Sequence, residues 1–396
     1  MATVLILGGT GFIGRNLCEY LVKSGVVSHV RCVDKVFPQT AFLNAEHTAL
    51  FANPIVQFMQ GNLSNAASIA KCFARDDGKE FDYVFNCAAE TKYGQDEPVC
   101  AHTHTNFSPL LFFSTCTPIT CCVCSLFSNQ QIYQEKTHDV CMKIAQEAAK
   151  HPIKKFVHLS TAQVYAAGKK PSKESDKTDP WTTLAKVHLK TEADLRGVAG
   201  LPLVILRPST VYGPGDVNGI APRIICAAVY KHLGEKMKFM WSGDLRLSTV
   251  HVRDVAAAMW HCAVNVPAFA LFNVADKNGT DQEKINKILE EIFGIKTGFY
   301  GTLMSNAARL DFKGIVEDVN DKHLKPWSEM CQKAGIASTP LTPYLDPELL
   351  YNNPFSVDGS AIESTGFKYT YPNVTTELIR EQMQYYVEQK LFPVEP

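Results

Sequence analysis

Short apolar, β-branched runs alternate along the chain with longer segments of helical period. Thr3–Gly8, Val30–Asp34, Val56–Gly61, Tyr83–Ala89, Phe156–Thr161 and Leu203–Pro208 have the composition and length of strands. Between them, Arg15–Ser24 sets Leu17, Tyr20 and Leu21 at helical spacing, and His138–Lys150 and Leu184–Arg196 carry the same period. Strands that are apolar at nearly every position are buried on both faces. Their alternation with helices predicts an α/β fold, a doubly wound parallel sheet with helices on either side. No internal repeat interrupts the pattern.

Composition narrows the function classes. Of 396 residues, 46% are hydrophobic and 20% charged, a globular rather than a disordered balance. The 39 basic and 40 acidic residues leave a net charge of −1. That balance lacks the basic face that binding nucleic acid by counterion displacement requires. The first residues, Met-Ala-Thr-Val-Leu-Ile-Leu-Gly-Gly, have no basic stretch ahead of an apolar core, so they read as a strand and not a secretory leader. Thirteen cysteines, an odd number and mostly isolated in apolar contexts (Cys18, Cys32, Cys72, Cys87, Cys226), suit reduced thiols in a cytoplasmic protein.

The strongest chemistry lies in Gly8-Gly9-Thr10-Gly11-Phe12-Ile13-Gly14, between the first strand and the first helix. A dinucleotide pyrophosphate needs a tight turn, a backbone it can approach without a Cβ, and a helix N-terminus with free N–H groups. Glycines at 8, 11 and 14 supply these. The second predicted strand ends at Asp34, 26 residues past Gly8. A carboxylate there accepts from the adenosine ribose hydroxyls and repels a 2′-phosphate, so NAD is the expected cofactor. Lys35 beside it is the one feature that favours NADP. The expected sheet is of the Rossmann type.

The glycine turn resembles the TGxxGxxG turn of extended short-chain dehydrogenases/reductases, the NAD-dependent epimerase/dehydratase family. Five further stretches resemble the family's motifs in order. They are Gly61-Asn62-Leu63, Asn86-Cys87-Ala88-Ala89, Ser160-Thr161-Ala162-Gln163-Val164-Tyr165, Arg207-Pro208 through Tyr212-Gly213-Pro214-Gly215, and Val250-His251-Val252-Arg253-Asp254-Val255-Ala256. The resemblance implies an NAD site of Gly8, Thr10, Gly11, Phe12, Ile13, Gly14, Asp34, Lys35, Asn62, Leu63, Ala88, Ala89 and Pro208, with Asn62 accepting from the adenine amino group. It implies a nucleotide-binding domain over 1–216 and a smaller C-terminal substrate lobe over 217–396, from which 249–275 returns to the core. It also implies hydride transfer with a small-molecule alcohol such as a nucleotide sugar, no metal, and a homodimer.

The resemblance further implies a Tyr-x-x-x-Lys pair on the helix after the fifth strand, its phenolate taking a substrate proton and its lysine holding the nicotinamide ribose. Thr161 takes the place of the hydroxyl that orients the substrate oxygen. The segment Thr182-Thr183-Leu184-Ala185-Lys186-Val187-His188-Leu189-Lys190 has no tyrosine. Lys186 is taken as the family lysine, with Thr182 at the tyrosine place; Asp194, four beyond Lys190, argues for the other register. Threonine cannot serve as a phenol does near neutrality. Tyr93, in the loop after the fourth strand, is the candidate substitute acid. Three functions stay open: an NAD-dependent epimerase or dehydratase acting on a nucleotide sugar, a 3β-hydroxysteroid-dehydrogenase-like enzyme, and a catalytically inactive NAD-binding sensor or structural protein.

Residues 100–132 stand apart. No Asp, Glu, Lys or Arg occurs between Glu97 and Glu135, while five cysteines crowd with His102 and His104. Removing 100–132 restores the short strand-to-helix connection usual in such folds. The segment is read as foreign to the fold, such as translated intron. A zinc site of His102, His104, Cys121 and Cys124, a membrane segment at Leu110–Phe127 and an active-site lid are the alternatives. In the C-terminal lobe, Arg223, Arg246 and Arg253 are candidate anion contacts, with a solvated surface role the alternative for each. Asp311–Lys333 reads as a helical elaboration of that lobe.

Overall fold

The computed structural model describes residues 1–94, 129–301 and 312–393. Its centre is a seven-stranded, wholly parallel sheet in the order β10-β6-β5-β4-β1-β2-β3. The strands are β1 (Ala2–Leu7), β2 (Val27–Asp34), β3 (Val56–Gln60), β4 (Tyr83–Asn86), β5 (Lys155–Leu159), β6 (Leu203–Pro208) and β10 (Leu271–Val274). Every side chain from Val4 to Leu7 and from Leu203 to Leu206 is buried, as all-apolar strands between two helical layers must be.

Helices α1 (Phe12–Lys23), α2 (Ala45–Phe51), α3 (Ala66–Phe73), α5 (Asp139–Ala148), α6 (Thr183–Arg196) and α8 (Val252–Asn265) flank the sheet. One layer packs α1 and α8 on one face, around Leu17, Leu21, Val255 and Met259; the other packs α3 and α5, around Ile69, Phe73, Ile144 and Ala148. The chain therefore reverses direction of winding between β1 and β4. That switch point is where the C-terminal strand ends leave a crevice for a ligand.

A second core lies beyond β6. It joins α7 (Ala221–Leu233), α9 (Gln282–Phe293), α10 (Phe312–Lys333) and α11 (Thr376–Glu388) through Ile224, Ile285, Leu289, Trp327, Ile379 and Tyr386. Two small parallel pairs complete the lobe: β7 (Thr210–Tyr212) with β9 (Thr249–His251), and β8 (Met237–Phe239) with β11 (Thr297–Phe299). Between these pieces, α8 packs on α1 and β10 extends the main sheet beside β6, so this stretch lies with the N-terminal core.

The second strand begins earlier than expected, at Val27, and two further elements differ in extent. The fourth strand stops at Asn86 because Cys87–Ala89 leave the sheet to line the crevice. The helix expected from His138 begins earlier, with α4 (Asn129–Tyr133) running through a π turn at Gln134–His138 into α5. Tyr133 is buried and its phenol donates to Lys92 O (2.6 Å). The end of the segment read as foreign, from Asn129 onward, thus belongs to this helix; the rest, with His102, His104, Cys121, Cys124 and Leu110–Phe127, lies outside the described residues. Among the described residues no helix is long and apolar enough to cross a membrane, no cluster could hold a metal ion, and the cysteines are unpaired thiols.

Candidate active site

A single cavity of about 990 Å³ runs from the glycine turn, across the C-terminal ends of β4 and β5, into the lobe under α7 and α10. The turn is shaped by steric necessity. Gly8 has φ +82°, and a Cβ on it would sit 2.9 Å from the carbonyl carbon and oxygen of Cys87. A Cβ on Gly14 would sit 2.1 Å from Gly8 O. Gly11 caps α1 with no side-chain hydrogen bond, so the first N–H groups of the helix remain free for an anion.

Asp34 lies beside these glycines. Its carboxylate accepts from Thr10 N (3.2 Å) and Val36 N (3.1 Å). A carboxylate has about four acceptor sites, so two main-chain bonds fix its orientation and leave capacity for a ligand's hydroxyls. Asn62 accepts from Ser64 N (3.0 Å) through its amide oxygen, so acceptance from an adenine amino group shares that atom.

Of the residues expected at the cofactor, Gly8, Gly11, Phe12, Ile13, Gly14, Asp34, Lys35, Asn62, Leu63, Ala88, Ala89 and Pro208 line the cavity. Thr10 does not; it is buried, and acts through its N–H on Asp34. The crevice fits a dinucleotide. Two glycines lie where a side chain would collide with backbone, a helix N-terminus is uncapped, and a carboxylate is held at the end of β2. NAD bound there would supply the hydride acceptor or donor.

Sequence reasoning missed Arg15. It is buried in the wall of the same cavity. Its guanidinium donates to Thr10 O (2.6 Å), Ala41 O (2.9 Å) and Phe42 O (3.1 Å) and to the Tyr385 hydroxyl (2.9 Å). It ties the glycine turn to the loop after β2 and to α11. Nothing in the local spacing signals this, because its partners are carbonyls up to 27 residues away and a phenol on the last helix.

The helix after β5 departs from expectation. Thr182 is the N-cap of α6, accepting from Ala185 N (3.1 Å), and its hydroxyl donates to Gln163 Oε1 (3.3 Å). Lys186 is exposed and does not line the cavity, and Lys190 is exposed beside Gln134. The residues that α6 turns toward the cavity are Leu184 and His188, one helical turn apart. Residue 186 lies roughly 200° around the helix from 184, on the opposite face. Glu192, a turn further on, is 2% exposed and forms a bidentate pair with Arg207 (2.9 and 2.5 Å) while accepting from Ser160 Oγ. Neither lysine weighed for the family pair faces the cavity; Leu184 and His188 stand there instead. Asp194 pairs instead with His138 (2.7 Å) at the surface.

Thr161 lines the cavity, its hydroxyl accepting from Gln163 N (3.2 Å). Tyr93 lines it too, packed on Tyr133, Leu184 and Val187, and donates to Gln163 Oε1 (2.8 Å). Burial raises its pKa, which the Gln163 bond opposes and the Glu348 and Asp346 carboxylates reinforce. Tyr93 therefore remains a phenol, a hydrogen-bond donor and not a base. Tyr165 is structural, its hydroxyl bonded to Asn273 and Arg207.

At the lobe end, Arg223 lines the cavity over the Phe239 ring (5.4 Å) and donates to Gln282 Oε1 (3.3 Å), with no carboxylate partner among the described residues. Burial pushes its pKa down to about 10, so it stays cationic at neutral pH. Arg246 also lines the cavity, 3.8 Å from Asp281, as do Lys238, Trp241 and Tyr300. Arg253 does not: it is paired with Glu381 (2.6 Å).

Residues 4–103 and 122–275 match the profile of the NAD dependent epimerase/dehydratase family. The chain belongs to this family. The match breaks at 104–121, inside the stretch whose composition stands apart. An uncharacterized protein of Sinorhizobium fredii, y4nG, is 24% identical over 293 residues, 73% of this chain, and the chain spans 60% of that relative's length. Among solved structures, the fold is similar to UDP-glucuronic acid 4-epimerase from Bacillus cereus, in complex with UDP-glucuronic acid and NAD (TM-score 0.65, 18% identity, 98% of this chain and 99% of that one). It is equally similar to dTDP-glucose 4,6-dehydratase from Bacillus anthracis in complex with NAD (TM-score 0.65, 14% identity, 98% and 97%). The epimerase/dehydratase family chain described here shares their fold, and Leu184 and His188 line its cavity from α6.

Proposed function

We propose that this chain binds NAD along the glycine turn and a nucleotide sugar in the lobe, as an NAD-dependent oxidoreductase of the epimerase/dehydratase type. The observation that carries this is the continuous cavity. It joins the dinucleotide crevice at Gly8–Gly14 and Asp34 to a half-buried Arg223 that packs over the Phe239 ring and has no carboxylate partner among the described residues. A diphosphate satisfies that cation, and flat rings stack a nucleobase. Thr161 orients a substrate hydroxyl, and Tyr93, on exchanging its bond to Gln163 Oε1, donates its one proton to a substrate oxygen. The nucleotide sugars bound by the neighbouring structures support this substrate class. We further propose a cytoplasmic homodimer, to be checked by light scattering on the purified chain.

Leu184 favours a second reading, an NAD-binding sensor without turnover, because α6 offers neither phenol nor ammonium to a substrate alcohol. Incubation with NAD and a panel of nucleotide sugars, followed by reduced-nicotinamide absorbance and product epimer analysis, separates the two. Turnover that survives Thr182→Ala and is lost in Tyr93→Phe supports the oxidoreductase. Saturable NAD binding with no change in any panel member supports the sensor.

A further inference from the structure

Thr161 and Tyr93 bring two hydroxyls to the cavity, and both are donors to a substrate oxygen. Oxidising an alcohol also needs a group that takes the hydroxyl proton. Burial and the Glu348 and Asp346 carboxylates keep Tyr93 a phenol. His188 would take a proton only by becoming a buried cation, and burial pushes its pKa down to about 4. A carboxylate becomes neutral on taking a proton, and burial favours neutral forms. Among the described residues, the carboxylates on the cavity wall are Asp34, Glu90, Asp216 and Asp346. Asp34 lies on the β1–β2 side, beside the glycine turn. Asp216 is saturated: it accepts from the main-chain N–H groups of Asn218, Gly219, Ile220 and Ala221 and from Gln382 Nε2. Asp346 caps the turn at Pro347–Leu350, accepting from Glu348 N (2.8 Å).

Glu90 follows Ala88 and Ala89 beyond the end of β4, and the π turn between α4 and α5 fixes it twice. Its N–H donates to Thr137 Oγ1 (3.0 Å), and its Oε2 faces Lys136 Nζ (3.5 Å). Such turns within helices are frequent at functional sites. Oε1 accepts from Thr91 N and Lys92 N, both at 3.1 Å. The Glu90 side chain is 14% exposed and that of Lys136 52%. The main chain therefore holds Oε1, while Oε2 has one long contact with an ammonium open to solvent and keeps acceptor capacity. The loop that carries it reaches both walls of the cavity, through Asn218 Nδ2 to Thr91 O (3.4 Å) and Tyr93 to Gln163. We propose that Glu90 is a catalytic base, its Oε2 taking the proton of the substrate hydroxyl. This rests on the oxidoreductase reading above. The O–H bond breaks toward Oε2, the C–H electron pair passes as hydride to bound NAD⁺, and a C=O bond forms. Glu90 ends as the carboxylic acid and the coenzyme as NADH; reduction of the carbonyl returns both.

Turnover of the full chain with NAD and the nucleotide-sugar panel, UDP-glucose and UDP-glucuronic acid included, tests it beside calorimetric titration with NAD. Glu90→Gln keeps an acceptor for Thr91 N and Lys92 N but cannot take a proton. It should lower kcat about 100-fold or more, with KM and NAD affinity within about threefold of the wild type. Asp346→Asn, at the other unsaturated carboxylate of this wall, should keep kcat within about tenfold. A Glu90→Gln enzyme within about tenfold of the wild type overturns the assignment. So does an equal loss in Asp346→Asn, or a loss of NAD affinity in Glu90→Gln as large as its loss of kcat. A wild-type chain that binds NAD but turns over no panel member overturns the oxidoreductase reading, and the base with it. Absence of NAD binding by the wild type overturns the cofactor reading itself.

Discussion

Replacing Gly14 by alanine puts the architecture of the glycine turn to a quantitative test. The new Cβ would lie 2.1 Å from Gly8 O, more than 1 Å inside ordinary contact, and also 2.9 Å from Gly8 C and from Gly9 Cα. Gly8 cannot retreat freely. Its N–H is bonded to Val33 O (2.8 Å), and its own Cα faces the Cys87 carbonyl. Either α1 shifts away from the turn or the turn opens, and overpacking of this kind costs about 1–3 kcal/mol. A displacement of about 1 Å at a ligand-orienting backbone is worth about 10²-fold in function. We expect Gly14→Ala to lower the urea midpoint and to weaken NAD about 100-fold by calorimetry. Gly25→Ala is the matched control. Gly25 has φ +63° with nothing within 4 Å, so that change strains the backbone and costs stability without touching the cavity. Native NAD affinity in Gly14→Ala, or equal loss of affinity in Gly25→Ala, would refute the steric argument.

Three further outcomes follow from named contacts. Leu184→Tyr combined with His188→Lys places a phenol and an ammonium on the cavity face of α6, and should raise NAD reduction by nucleotide sugars about 10²-fold or more in a stopped assay of the full chain. Glu192→Gln leaves Arg207 buried against a neutral amide, and should destabilise the fold by about 3–5 kcal/mol in urea titration. Desolvation of the half-buried Asp276 pushes its carboxyl up to about 6 against the Thr249 hydrogen bond, with Lys284 lowering it and Asp254 raising it. A carboxyl raised in the folded state binds its proton more tightly there than when unfolded. Stability should therefore fall as pH rises from about 4 to about 6, by about 2 kcal/mol, and Asp276→Asn should abolish that fall in urea titrations across this range.

The fold was legible because strands buried on both faces have no polar positions to blur their pattern. Val4–Leu7 and Leu203–Leu206 are examples, and both lie on strands paired on either side. Asp34 was legible for a local reason: the end of β2 and the turn after β1 are neighbours in any parallel βαβ unit. The register of α6 was harder. The charged Lys186 draws the eye, yet a lysine flanked by Val187 and Leu184 at the buried positions belongs on the solvent face. Glu192 carried the signal, a carboxylate eight residues past Leu184 whose partner, Arg207, was visible in the Arg-Pro motif. The pairing itself spans two elements, so no window along the sequence contains it. Arg15 was illegible for the same reason, its partners being main-chain oxygens brought together only by folding.

Paired titrations of the wild-type chain with NAD and NADP test the central claim most directly. The carboxylate of Asp34, fixed by Thr10 N and Val36 N at the glycine turn, should accept an unphosphorylated ribose and repel a 2′-phosphate. The account predicts saturable NAD binding at least about tenfold tighter than NADP, with the preference lost in Asp34→Ser. Tighter binding of NADP, or no saturation with either coenzyme on folded protein, would contradict it.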